Sequence, residues 1–188
     1  RMFEFIFKMF ALGNAAVPAK GMGEIPKMLR MQHSKTQIFF NSPVKQVVGK
    51  SIYLENGEII EADRIINATQ PDHVMPQLQG QFPPAQKVIN LYFSLQRSFM
   101  ARPMIGLLAG EGYFVNNLVF MDDVSDDYSP KDRSLLSVTV LETTLSEKDL
   151  IKAVQAELEL ISGVKADYFK FIKSYYINYA LPAVDDLK

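Results

Sequence analysis

The chain has 188 residues, 20 of them Lys or Arg and 21 Asp or Glu, for a formal net charge of −1. That near-balance removes the electrostatic case for nucleic acid, and the length suffices for one domain or two small ones with a buried core. Cysteine is absent, which excludes disulfides, thiolate metal sites and cysteine nucleophiles and fits a cytoplasmic protein.

Residues 2–12 predict a short helix that is apolar on nearly every side, through Phe3, Phe5, Ile6, Phe7, Met9, Phe10 and Leu12, and that ends at Gly13 and Asn14. Such a helix calls for burial all round. A membrane-dipping element is the alternative; the run carries Glu4 and Lys8 and is too short to span a bilayer. The start at Arg1, with no initiator Met, predicts a chain trimmed from something longer. Left uncovered, the phenylalanines of this helix would drive a homodimer or a swapped helix.

Two glycines, Gly21 and Gly23, then precede a helix whose buried stripe should be Ile25, Met28, Leu29 and Met31, with Pro26 in its first turn. From residue 36 the period changes to strands. Residues 36–41, 44–48, 51–55 and 58–61 read as β runs, and Asn56-Gly57 between the last two predicts a type I′ hairpin turn with both residues at positive φ. Residues 62–69 read as a buried strand running into a loop at Gln70-Pro71. A short helix over residues 72–78 and a Gly/Pro joint over residues 80–84 follow, and the joint is the expected domain boundary.

Beyond the joint the pattern is antiparallel β, with strands over residues 87–97, 104–109, 113–121, 134–142 and 168–180. Between the last two, Ser146 with Asp149 caps a helix over residues 146–162, with Leu150, Ile151, Val154, Leu158 and Ile161 at helical spacing. In the first of these strands Ile89, Leu91, Phe93 and Leu95 alternate with Asn90, Tyr92, Ser94 and Gln96. In the last, Phe169, Phe171, Tyr175, Ile177 and Tyr179 should share a face that Lys173 interrupts. The bland reading of these residues is sheet core; the functional one is a wall of a substrate pocket.

Few motifs carry chemistry. Gly21-Met22-Gly23 before a helix looks like a phosphate loop, but no strand precedes it, and Pro26 stands where a dinucleotide fingerprint has its third glycine. His33 and His73 lie in separate segments, so no transition-metal site is expected. Asp122, Asp123, Asp126, Asp127 and Asp132 lack the central Gly and final Glu of a calcium loop and read as a solvated loop. No Ser/His/Asp arrangement or catalytic carboxylate pair stands out, so catalytic residues stay unassigned.

The order of features is more specific than any one of them. Pro18-x-x-Gly21-Met22-Gly23-x-Ile25-Pro26 leads into a helix. A strand with Val44 and Val47 follows, then the Asn56-Gly57 hairpin, then Ala62-Asp63-Arg64-Ile65-Ile66-Asn67-Ala68-Thr69-Gln70-Pro71. This resembles the middle of FAD-dependent flavoproteins of the phytoene desaturase and flavin-containing amine oxidase superfamily. Lys20 stands where that pattern has its first glycine.

The resemblance implies an α+β fragment of a two-domain α/β flavoprotein. Residues 1–80 would be part of the FAD-binding domain, a parallel-sheet remnant (residues 36–41 and 63–68) crossed by a β-meander. Residues 81–188 would be the substrate domain, an antiparallel sheet with a packed helix. It implies that Gly21, Met22 and Gly23 approach the flavin ring, that the Val44 backbone meets the adenine, and that Ala68 and Thr69 lie near the dinucleotide. The superfamily's N-terminal Gly-x-Gly-x-x-Gly and C-terminal Gly-Asp segments are not in this sequence. FAD is therefore expected in the intact parent and not on this chain alone. The expected function is part of an FAD-dependent oxidoreductase acting on an apolar or amine-bearing small molecule. A non-catalytic α+β binding domain is the alternative.

Overall fold

The computed structural model describes residues 2–13, 16–69, 71–78, 80, 85–108, 110, 112–141 and 143–182. In chain order the elements are α1 (Met2–Ala11), α2 (Glu24–Gln32), β1 (Val44–Val48), β2 (Ser51–Leu54), β3 (Ile59–Glu61), α3 (Pro71–Val74), β4 (Ala85–Leu95), β5 (Gly106–Leu107), β6 (Val115–Phe120), α4 (Met121–Val124), β7 (Ser134–Leu141), α5 (Glu147–Ser162) and β8 (Lys170–Pro182). Short 3-10 turns cover Pro76–Leu78, Asp126–Tyr128 and Ala166–Tyr168. The chain divides into two compact units, Arg1–Gln32 with Lys87–Asn178 and His33–Gln86 with Tyr179–Lys188. Mixed helices and antiparallel sheets make the class α+β. Most of the expected joint, residues 81–84, lies outside the described residues, and the chain passes from one unit to the other just after it.

The larger unit is a five-stranded sheet in the order β5-β6-β7-β4-β8. β4 pairs antiparallel with β7, which sets Leu91 opposite Val138 and Phe93 opposite Leu136. β7 pairs antiparallel with β6, setting Leu118 opposite Val138. The strict alternation read from β4 thus delivers one apolar face, and α5 covers it with Leu150, Val154 and Leu158. Each of these side chains is fully buried and contributes roughly 1.5–3 kcal/mol by leaving water. Phe93 meets Phe169 edge-on at 6.5 Å, and Phe99 meets Phe120 at 4.9 Å.

α5 begins and ends as its sequence dictates. The Ser146 hydroxyl accepts the Asp149 N–H at 3.2 Å and donates to the Asp149 carboxylate at 2.6 Å, satisfying the helix start. Gly163 ends it in the left-handed region, at φ 72°, where its N–H reaches the Glu159 carbonyl. Halfway along, the Glu157 carboxylate accepts the backbone N–H of Phe114 at 2.8 Å and of Val115 at 3.0 Å. The helix is thereby bonded to the start of β6, at Val115, and to Phe114 just before it.

The acidic segment differs from the solvated loop expected of it. Asp122 accepts the Leu135 N–H at 2.8 Å, and Asp123 accepts the Ser98 hydroxyl at 2.6 Å and the Arg102 N–H at 3.3 Å. Both sit on α4, half-buried, because backbone donors of neighbouring segments come within their reach.

The smaller unit is an antiparallel meander, β1-β2-β3. Its hairpin turn falls where Asn56-Gly57 placed it but is of another type. The Gly57 N–H reaches the Leu54 carbonyl at 3.1 Å, Gly57 has φ 89°, and Asn56 is not among the positive-φ residues. Glu55 and Asn56 are therefore the central pair of the turn and Gly57 the left-handed residue after it, the three-residue hairpin rather than type I′. The Asn56 side chain accepts the Glu58 N–H at 3.0 Å.

Residues 36–41 and 63–68 do not form strands. A strand exists only where a neighbour takes its N–H and C=O groups, and no described strand runs beside either segment. Ile66, expected inside, is 92% exposed. The helices α1 and α2 form as predicted, yet Phe5 and Phe7 on α1, Leu12 just after it, and Ile25, Met28, Leu29 and Met31 on α2 are exposed instead of buried. Their periodicity anticipates a packing surface that the described residues do not supply. Among the described residues no helix is long and apolar enough to cross a membrane.

Candidate functional site

The expected cofactor residues fall into two groups, one in each compact unit. In the larger unit, Gly21 closes a tight turn: its N–H donates to the Pro18 carbonyl at 2.9 Å, and its own carbonyl accepts the Glu24 N–H at 3.1 Å. Its φ of 89° is a conformation that glycine adopts without strain. The Tyr128 hydroxyl donates to the same Pro18 carbonyl at 2.7 Å and pins the turn. Met22 is exposed, and the space where a Cβ would stand on Gly21 or Gly23 is open to 4 Å. At Gly23, where φ is not positive, nothing in the described chain demands glycine. The loop thus leaves an uncovered stretch of backbone at the start of α2.

In the smaller unit, Val44 opens β1, half-buried and paired with Leu54. Ala68 and Thr69 form an exposed turn. The Thr69 N–H and hydroxyl both donate to the Asn67 side-chain oxygen, at 2.9 and 2.6 Å. That fixes the amide, and Asn67 Nδ2 is left buried without a hydrogen-bond partner. A buried orphan donor is costly, on the order of 1–3 kcal/mol, so the turn holds a donor prepared for an acceptor. The loop runs on into α3, which lies against β1, so Val44, Ala68 and Thr69 belong to one local structure. Sequence reasoning quoted Asn67 in its motif but gave it no role. Its position between an apolar run of strand-like composition and a Thr was the available signal.

The third region is the face of the five-stranded sheet turned away from α5. Alternation puts Asn90, Tyr92, Ser137 and Thr139 there. Asn90 donates to the Tyr92 hydroxyl at 3.0 Å and to the Ser137 hydroxyl at 3.2 Å, and accepts from the Thr139 hydroxyl at 3.2 Å. The Tyr175 ring stands edge-on to Tyr92 at 5.8 Å, and Lys173 Nζ lies 4.9 Å from the centre of the Tyr175 ring. The expected single face of the last strand does not hold. Phe171 packs on Phe93, at 5.9 Å, whereas Tyr175 packs on Tyr92. Phe93 and Tyr92 are successive residues of one strand and point to opposite faces, so β8 changes face between Phe171 and Tyr175.

A separate cavity of about 340 Å³ is lined by Gly112, Tyr113, Phe114, Val140, Leu141 and Thr143. Among the described residues its titratable lining group is the Tyr113 phenol. Among the described residues no cluster of His, Asp or Glu is placed to hold a metal ion.

Taken one unit at a time, these residues offer part of what a flavin dinucleotide needs. The open backbone at Gly21 and Gly23 admits a flat ring close to the chain, and Asn67 Nδ2 offers a hydrogen bond to an acceptor beside Thr69. No glycine-rich turn after a strand is present among the described residues to meet a pyrophosphate.

Comparison with known proteins bears on the fold and the family. The fold is similar to that of reduced UDP-galactopyranose mutase, with a TM-score of 0.68 and 14% identity over 86% of this chain and 40% of that one. A candidate protoporphyrinogen oxidase from Exiguobacterium sp. 255-15 gives 0.66 and 16% identity over 88% and 40%. The PF1083 protein from Pyrococcus furiosus gives 0.62 and 14% identity over 85% and 43%. The chain spans about two fifths of the length of these structures. No curated protein matches the sequence significantly. The family model for flavin containing amine oxidoreductases matches residues 2–180, and the chain belongs to that family.

Proposed function

We propose that the chain is the flavin-side loop, meander and substrate-side sheet of an FAD-dependent oxidoreductase of the desaturase or amine-oxidase type, acting on an apolar or amine-bearing small molecule. The family match across residues 2–180 carries this reading. Bound flavin supplies the acceptor for a hydride or electron pair. The residues of this chain position and shield it: the Gly21–Gly23 backbone beside the ring, and Val44, Asn67, Ala68 and Thr69 along the dinucleotide. No side chain is assigned to acid–base catalysis, because in this chemistry the cofactor carries the redox step.

The test is flavin content. Protein expressed from the full coding region should copurify with stoichiometric FAD. The 188-residue chain by itself should be colourless. Its contacts to FAD are peripheral, and binding must first offset roughly 4–15 kcal/mol of lost translational and rotational freedom. Full-length protein that stays colourless after refolding with excess FAD overturns the assignment.

A further inference from the structure

The sheet face turned away from α5 has a chemistry of its own. Asn90 is committed at both ends: its Nδ2 donates to Tyr92 and Ser137, and its Oδ1 accepts from Thr139 at 3.2 Å and Ser137 at 3.4 Å. An amide held this way fixes the Tyr92 hydroxyl in place. That hydroxyl uses acceptor capacity on Asn90 and keeps its own proton to give away. Beside it, Tyr175 presents a second ring, and the Lys173 ammonium rests against that ring. Lys173 takes part in neither of the ion pairs among the described residues. None of the five strands contains an aspartate or glutamate, while β8 contributes both Lys170 and Lys173. The face is donor-rich, cationic and aromatic.

We propose that Tyr92, Tyr175 and Lys173 bind the carboxylate of a small molecule whose body is apolar or aromatic. This rests on the oxidoreductase reading only for calling that molecule the substrate, and it narrows that reading from an apolar or amine-bearing compound to an apolar one bearing an anionic group. Hydrogen bonds from an ammonium and a phenol to a carboxylate are shorter and about twice as strong as neutral ones. The two ring edges give the apolar body a surface. A substrate presenting an ammonium group here meets Lys173, and none of the five strands carries a carboxylate to balance it.

The probe is 4-phenylbutyrate, titrated into the 188-residue chain and followed by NMR, with 4-phenylbutylamine as its isosteric opposite. Phenylbutyrate should shift the ring signals of Tyr92 and Tyr175 saturably, and the amine should bind at least about tenfold more weakly. Lys173→Gln should weaken phenylbutyrate about tenfold and Lys173→Arg should restore most of it, because the ammonium acts as a charge. Lys173 is exposed, so the variants should keep the parent's backbone spectrum; Tyr92→Phe, which removes the donor and keeps the ring, gives an independent arm. Equal affinity for acid and amine, no saturable binding, unchanged affinity in Lys173→Gln, or shifts confined to residues away from β4 and β8 each overturn the proposal. Flavin content is read separately. A flavin-bearing full-length protein whose chain prefers the amine sinks this inference alone. A colourless full-length protein sinks the oxidoreductase reading and leaves a carboxylate-binding face.

Discussion

The two compact units solve the same problem with unequal means. In the larger, a twisted antiparallel sheet and α5 close on each other, and Leu91, Phe93, Phe120, Leu136, Val138, Leu150, Val154, Leu158 and Phe169 lose nearly all contact with solvent. In the smaller, Val47 and Leu54 are the buried hydrophobics among the described residues. A layer needs a second layer. Three strands with the short α3 against β1 can satisfy their hydrogen bonds but bury little of an interior. Val44, Asn67, Ala68 and Thr69, expected along the dinucleotide, therefore lie in the unit with the least core of its own, whereas the Gly21 to Gly23 loop and the sheet expected to face the substrate belong to the self-supporting one.

That contrast can be broken in several ways. Phe93→Ala should have the largest effect, about 3–5 kcal/mol in urea unfolding, because the ring is fully enclosed by Phe169, Phe171 and the sheet. A much smaller loss would mean that the larger unit is loosely packed. Next, hydrogen exchange should protect the amides of Leu118 and Val138 about a hundredfold or more beyond those of β1, β2 and β3, since opening free energy follows buried contact. Equal protection would erase the distinction.

Glu157→Gln should cost about 1–2 kcal/mol by weakening two charge-assisted bonds to the amides of Phe114 and Val115, read as a lowered midpoint with an unchanged denaturant slope. A neutral result would show that α5 is held by its apolar face alone. The smallest effect belongs to the meander. Gly57→Val should cost about 1 kcal/mol from backbone strain at positive φ, with no added clash, because the space beside Gly57 is open. A loss of protection in the meander amides with β6 and β7 intact would sharpen the comparison.

How much of this was legible in the sequence follows from the range of each interaction. The α5 cap at Ser146 and Asp149, the alternation of β4 and the position of the Gly57 turn are local. They depend on residues within a few positions of one another, and the structure keeps them. The order of the glycine loop, the meander and the Ala62 to Pro71 run was likewise readable, and it pointed to the family that the chain matches.

What needed tertiary structure is whatever depends on a distant partner. Residues 36–41 and 63–68 have strand-like composition and, among the described residues, no neighbour to make them strands. The exposed stripe of α2 has helical periodicity, but periodicity does not say what will cover it. Glu157 looks like one more exposed helix glutamate until folding brings the amides of Phe114 and Val115 to it. Asn67 becomes informative only when Thr69 occupies its oxygen and burial strands its nitrogen. Likewise, an alternation rule assigns Phe171 and Tyr175 to one side, and only their contacts with Phe93 and Tyr92 show that β8 turns over between them. Sequence alone determined the caps, the periods and the position of the hairpin turn, because those arise within a few residues. The tertiary structure decided which donors are spent, which are left over and which face each ring occupies, because those outcomes require groups far apart in the chain to meet.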